Sequence, residues 1–269
     1  MSSLKTILSQ IIRWIEWIYD SIFDNPKILL TSNIVIWKTI EWYDIKCYKY
    51  WNWNKKVLYI WWIHGNEIGT VKLMNRWINF LDNNTSIIPK DTNISIIPCL
   101  NIDGYNKALK NKNFFSRWKI GKTNARNVDL NRNFPTSNWS EKSILFAWWC
   151  YSDVSGWHCA WSEPEIQLLL DYIKSEDIET IYLYHNCWAT VFWIWTKKVY
   201  KKLLEYSKLS WYRIYSDDEW LNLIKEQKTW HSIVWAEENK IDIIEVELKT
   251  RWGSEWKRNK NALVNSLKI

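Results

Sequence analysis

The chain has 269 residues, 47% of them hydrophobic and 24% charged, which suits a folded globular protein and excludes a disordered or fibrous one. No run of 18 uncharged apolar residues occurs and Met1–Ile12 lacks a secretion-signal pattern, so neither a membrane span nor export is expected. Five cysteines without paired spacing fit a reducing, cytoplasmic setting, and the net charge of +7 is scattered apart from residues 107–122, so no nucleic-acid or membrane partner is expected.

Leu4, Ile7, Leu8, Ile11, Ile12, Ile15 and Ile18 recur at helical spacing, which predicts an amphipathic helix. Residues 1–30 are read as an extension carrying that helix, ahead of a single domain over 31–269. Ile34–Ile36 and Ile45–Tyr50 read as strands, and Lys55–Ile63 as a buried strand ending at His64-Gly65-Asn66-Glu67. Val71–Leu81 has helical periodicity, Ile94–Leu100 is a second buried strand, and residues 101–104 read as a turn. Polar loops are expected over 106–127 and from Pro135 to Gly156. Pro164 opens a helix reaching Ser175, and Ile181–Tyr184 and Ile241–Glu247 are strands. Alternating strands and helices predict an α/β fold.

Six glycines against 24 tryptophans is an abnormal balance, since average usage of about 7% would give roughly 19 glycines. The tryptophans sit in turn-like or crowded places: Trp61-Trp62, Trp148-Trp149, Trp51-Asn52-Trp53-Asn54, and Trp188, Trp193 and Trp195 close together. Such places normally want a residue free of Cβ constraints. Many of these tryptophans are therefore expected to stand where the working protein has glycine. A UGA codon that one lineage reads as Gly and another as Trp would do this. Trp235, in Val-Trp-Ala-Glu-Glu, is expected to be genuine.

His64 and Glu67, three apart at a strand end, are spaced to share one metal ion. Zinc accepts imidazole nitrogen and carboxylate oxygen, and a catalytic site needs a third protein ligand. His185 ends an apolar strand, where α/β sheets place ligand-binding groups. In Val128-Asp-Leu-Asn-Arg-Asn-Phe-Pro135, Asn131 and Arg132 form a carboxylate clamp, with the guanidinium binding in bidentate fashion. Glu247, ending a strand, suits a general base, and Glu245 on the same strand face is the competing candidate.

These segments, in this order, resemble the M14 family of zinc carboxypeptidases. The likeness grows when glycine replaces tryptophan: Val57–Thr70 becomes VLYIGGIHGNEIGT and Gly156–Glu165 becomes GGHCAGSEPE. The restored strings are similar to the small bacterial branch that includes murein peptide amidase. The resemblance implies a mixed, mostly parallel twisted β-sheet flanked by helices. It also implies one Zn²⁺ per chain on His64, Glu67 and His185, with Glu247 as the base. Arg126 would polarise the scissile carbonyl, Arg117 being the alternative, and Asn131 and Arg132 would hold the substrate's carboxylate. Tyr212 and Tyr215 are the candidates for the family's mobile tyrosine. The implied activity is hydrolysis of an amide next to a free carboxylate in a small peptide, and specifically of the γ-D-glutamyl–diaminopimelate bond of murein peptides. General carboxypeptidase action, N-acyl amino acid deacylation of the succinylglutamate desuccinylase/aspartoacylase type, and a catalytically dead binding protein are the alternatives.

Overall fold

A computed structural model describes residues 33–50, 55–61, 63–111, 119–147, 150–186, 188–193, 197–216, 219 and 231–268. The expected N-terminal helix lies outside these residues, as do Arg117 and Trp62.

Eight strands form one mixed sheet in the order β1-β2-β4-β3-β7-β10-β8-β9. They are β1 (Asn33–Lys38), β2 (Asp44–Tyr50), β3 (Lys55–Trp61), β4 (Thr92–Ile97), β7 (Thr180–Asn186), β8 (Thr190–Trp193), β9 (Arg213–Ser216) and β10 (Asp242–Leu248). The centre is parallel: β3 pairs in parallel with β4 and β7, and β7 with β10. Antiparallel pairings of β1 with β2, β2 with β4 and β8 with β10 extend it on both sides. The mixed, mostly parallel sheet is the architecture expected from the sequence. β7 is buried along its whole length, which explains its continuous apolar run.

Strand alternation sends side chains to two cores. Tyr59, Tyr182, Tyr184, Val246 and Leu248 face helices α1 (Ile68–Asn83), α4 (Lys197–Ser210) and α6 (Trp256–Ser266). Tyr59 stacks on Tyr182 at 5.2 Å, and its hydroxyl shares a 2.6 Å hydrogen bond with Ser266. Leu58, Ile60, Ile181, Leu183 and Ile243 face the other way, towards helices α3 (Pro164–Ser175) and α5 (Ser232–Glu238). By the same alternation His185, Glu245 and Glu247 project from this second face.

Two elements depart from expectation. Residues 102–110 form helix α2 (Ile102–Lys110), because the Asn101 side chain caps it by accepting from the Gly104 amide at 2.9 Å. The loop expected before Gly156 contains a hairpin, β5 (Lys142–Ala147) with β6 (Cys150–Ser155), separate from the main sheet.

Trp77 is fully buried against Phe80 and Tyr59, and Trp235 packs on Phe134. Trp188 was expected to crowd the turn after β7, yet it is 40% exposed. The indole escapes overpacking there by pointing partly into water.

Candidate metal centre and carboxylate clamp

The parallel strands β3, β7 and β10 end on one side of the sheet, and the candidate residues collect at those ends. His64 lies in the loop between β3 and α1. Gly65 beside it passes so close to Gly104 that an added Cβ would lie 2.2 Å from the Gly104 carbonyl carbon. Glu67 is the residue preceding α1 and makes no side-chain cap to that helix. A capping side chain contributes about 1 kcal/mol, and Glu67 forgoes it by turning its carboxylate to two imidazoles. Its Oε1 is 3.2 Å from His64 Nδ1, and its Oε2 is 3.2 Å from His185 Nδ1.

One ligand atom from each of His64, Glu67 and His185 lies within 4.8 Å of the others, and all three residues are buried. Two imidazoles and a carboxylate converging in this way are a donor set that zinc accepts, with a coordination position left for a reactant. Asp129 accepts from His64 Nε2 through Oδ1 at 3.1 Å, which leaves the Nδ1 lone pair directed at the centre. The residues fit the metal.

Charges follow from this packing. Burial disfavours an ionised Glu67, but His185 and His64 outweigh it and hold the carboxyl down at about 2. Burial also opposes a charged His185, yet Glu67 and Glu245 push its pKa up to about 10. At pH 7 the metal-free site therefore holds a protonated His185 against an ionised Glu67. A metal must displace that proton, so affinity should rise with pH up to about 10. Zinc uptake at pH 7 is expected to release protons. Titration calorimetry in buffers of different ionisation enthalpy reads this directly, and a heat independent of the buffer would refute it.

Glu247 pairs with His185 in parallel register, so the two side chains leave the same face side by side. Its Oε2 is buried and has no hydrogen-bond partner among the described residues. Burial, reinforced by Glu67 and Glu245, raises its carboxyl well above the usual range. Glu245 stands two residues back on the same strand, opposite Leu183.

Asn131 and Arg132 occupy a single 3-10 turn, Leu130–Arg132, held by Asp129, whose Oδ1 also accepts from the Asn131 amide at 3.0 Å. The Asn131 side chain accepts from the Ser232 amide at 3.2 Å, fixing the start of α5 beside the clamp. Asn133 ties the same segment to the loop before α3, donating to Gly156 O, Cys159 O and Ser162 Oγ. Both clamp residues are less than a tenth exposed.

The Arg126 side chain is 47% exposed and its guanidinium lies 3.7 Å from Glu163. A cation joined to the metal-centre residues is Lys122, 2.6 Å from Asp129 Oδ2. Tyr212 is buried, with its hydroxyl engaged by Glu255 and Asn259, while Tyr215 lies under the Arg213 guanidinium. Asp129, Lys122 and Ser232 were not singled out from sequence. Asp129 was in view, two residues before Asn131, but its long-range partners were not.

Fold and site bring a buried two-histidine, one-glutamate donor set of the kind that holds a metal ion to the ends of the parallel strands. A zinc carboxypeptidase profile matches residues 31–240, and the chain belongs to that family. The catalytic chain of carboxypeptidase N from Mus musculus is 38% identical over 90 residues, covering 31% of this chain and 20% of the relative. The chain thus spans only about a fifth of that curated relative's length. Murein-tripeptide amidase from Escherichia coli O157 superposes with a TM-score of 0.70 at 15% identity, over 90% of this chain and 94% of that one. An aspartoacylase family protein from Mesorhizobium loti reaches 0.57 at 14% identity, over 90% and 68%.

Proposed function

We propose that the chain is a zinc-dependent peptidase cleaving an amide next to a free carboxylate, and that its substrate is the γ-D-glutamyl–diaminopimelate bond of murein peptides. The observation that carries the hydrolytic part is the buried His64/Glu67/His185 cluster with Glu247 in register beside His185. Similarity over nearly the full length of a murein-tripeptide amidase supports the substrate. We place the activity in the cytoplasm, since Cys47, Cys99 and Cys159 are free thiols, as suits a reducing compartment.

His64, Glu67 and His185 would hold the ion. When bound, zinc supplies Lewis-acid chemistry, acidifying water and drawing electron density from a carbonyl. Asn131 and Arg132 seat the substrate's carboxylate, the arginine fork taking both oxygens. Glu247 takes the proton from the attacking water and returns it to the departing amine nitrogen. Arg126, whose guanidinium lies 3.7 Å from Glu163, would polarise the carbonyl.

Arg132→Ala is expected to raise KM at least tenfold for a substrate with a free carboxylate, while leaving an amidated substrate unaffected; an equal change for both would remove the clamp. The substrate is tested by incubating zinc-loaded protein with L-Ala-γ-D-Glu-meso-diaminopimelate, ordinary C-terminal peptides and N-acyl amino acids, with products read by mass spectrometry. Free diaminopimelate supports the murein substrate. Turnover of ordinary peptides alone makes the chain a general carboxypeptidase. Turnover of N-acyl amino acids alone makes it a deacylase, and no turnover by a folded, zinc-loaded protein leaves a binding protein.

A further inference from the structure

We propose that Lys122 is a positioning residue of the metal centre, acting through Asp129 on His64; this rests on the zinc-dependent function above. Lys122 is delivered by a backbone turn that only glycine allows. Gly121 holds φ +83°, and a Cβ there would lie 2.3 Å from the Gly104 carbonyl oxygen. The Asn101 amide then donates both to Lys122 O at 3.4 Å and to Ile63 O at 3.1 Å, the residue before His64. One side chain so ties the lysine loop to the ligand loop.

From this anchor Lys122 Nζ reaches Asp129 Oδ2 at 2.6 Å, with the carboxylate only 1% exposed. Asp129 Oδ1 accepts from His64 Nε2 and from the Asn131 amide. A carboxylate held on one oxygen by an ammonium cannot rotate away from the donors on the other. The chain Lys122–Asp129–His64 fixes the imidazole plane and its tautomer, and through the Asn131 amide it sets the clamp as well. Groups that orient metal-ligating histidines typically govern 10–100-fold in metal affinity.

The test is zinc affinity, measured by competition with a chromophoric chelator. Lys122→Met should weaken binding by roughly 10–100-fold, and Lys122→Arg should recover most of it. In an Asp129→Asn background, Lys122→Met should add less than about twofold, because the effect travels through that carboxylate. Lys122→Gln serves as the second charge-free variant where the methionine variant fails to fold. Unchanged affinity in a folded Lys122→Met or Lys122→Gln protein, with zinc lost in His64→Ala, overturns the role of Lys122 and leaves the zinc centre standing. Absence of zinc binding by the unaltered protein overturns both.

A separate observation carries a second inference. Four of the nine non-glycine residues with left-handed backbone among the described residues are tryptophan: Trp42 at φ 65°, Trp157 at 67°, Trp161 at 61° and Trp211 at 59°. Bulky residues rarely adopt this conformation, and glycine adopts it freely. Trp211 directly follows α4, and its amide donates to Ser207 O at 2.8 Å, the place where helices most often end on glycine. At three of the four burial does not compensate, since Trp42 is 77% exposed, Trp161 45% and Trp211 85%. Trp77 and Trp235 lie on helices with ordinary backbone and are buried. We infer that positions 42, 157, 161 and 211 are glycine in the protein as its own cell makes it, through UGA codons read as Gly. Peptide mass spectrometry of protein isolated from its source cells decides: glycine at the four positions is expected, and tryptophan there overturns the inference.

Discussion

Glu247→Gln is expected to abolish nearly all turnover while zinc stays bound. The carboxylate lies beside His185 on the neighbouring strand, with a buried oxygen for which the described residues supply no hydrogen-bond partner. Glutamine keeps the shape but cannot accept and return a proton, so the loss should be on the order of 10²–10⁴-fold in kcat. KM and zinc stoichiometry should change little, because neither the ligands nor the clamp is touched. Steady-state kinetics with metal analysis of the same sample checks both halves. Glu245→Gln is the control: it shares the strand face but stands two residues further from the strand end. If Glu245→Gln is the variant that loses turnover and Glu247→Gln is not, the base is misassigned.

Glycine at positions 42, 157, 161 and 211 should stabilise the fold markedly. A non-glycine residue in the left-handed region costs roughly 1–2 kcal/mol. Glycine's greater freedom in the unfolded chain offsets up to about 1 kcal/mol of this. Trp157 and Trp161 share the loop before α3 while Trp42 and Trp211 lie elsewhere in the chain, so the effects should be nearly additive except for that pair, giving a few kcal/mol in total. For a chain of this size, each kcal/mol raises the melting temperature by about 2–4 °C. Calorimetry of the quadruple variant should show a rise on the order of 10 °C. A control with glycine at Trp77 should fall instead, since removing a fully buried indole costs about 3–5 kcal/mol. An unchanged or lower melting temperature for the quadruple variant would mean that the indoles are native to those turns.

The parallel centre of the sheet was legible because strands buried on both faces carry largely apolar stretches, as Val57–Ile60, Ile94–Ile97 and Ile181–Tyr184 do. The ends of the runs Lys55–Ile63, Ile181–Tyr184 and Ile241–Glu247 then point to His64, His185 and Glu247. The helix over 102–110 was hidden by Gly104, which reads as a turn residue until Asn101 is seen capping it. The β5–β6 hairpin was hidden because Ile144–Tyr151 is one unbroken apolar run, with no Asn-Gly or Asp-Gly pair to mark where a hairpin turns. At the site, sequence identified groups by their chemistry but not by their direction. Arg126 and Lys122 are both cations in one loop; only the folded path shows that Arg126 faces Glu163 and Lys122 faces Asp129.

The most direct test of the central claim is a zinc titration of chelator-treated protein, carrying glycine at the four left-handed positions, with diaminopimelate release from L-Ala-γ-D-Glu-meso-diaminopimelate as the readout. The expected result is no release without metal and a linear rise that stops at one zinc per chain. Undiminished release by the metal-free protein would contradict a catalytic centre on His64, Glu67 and His185.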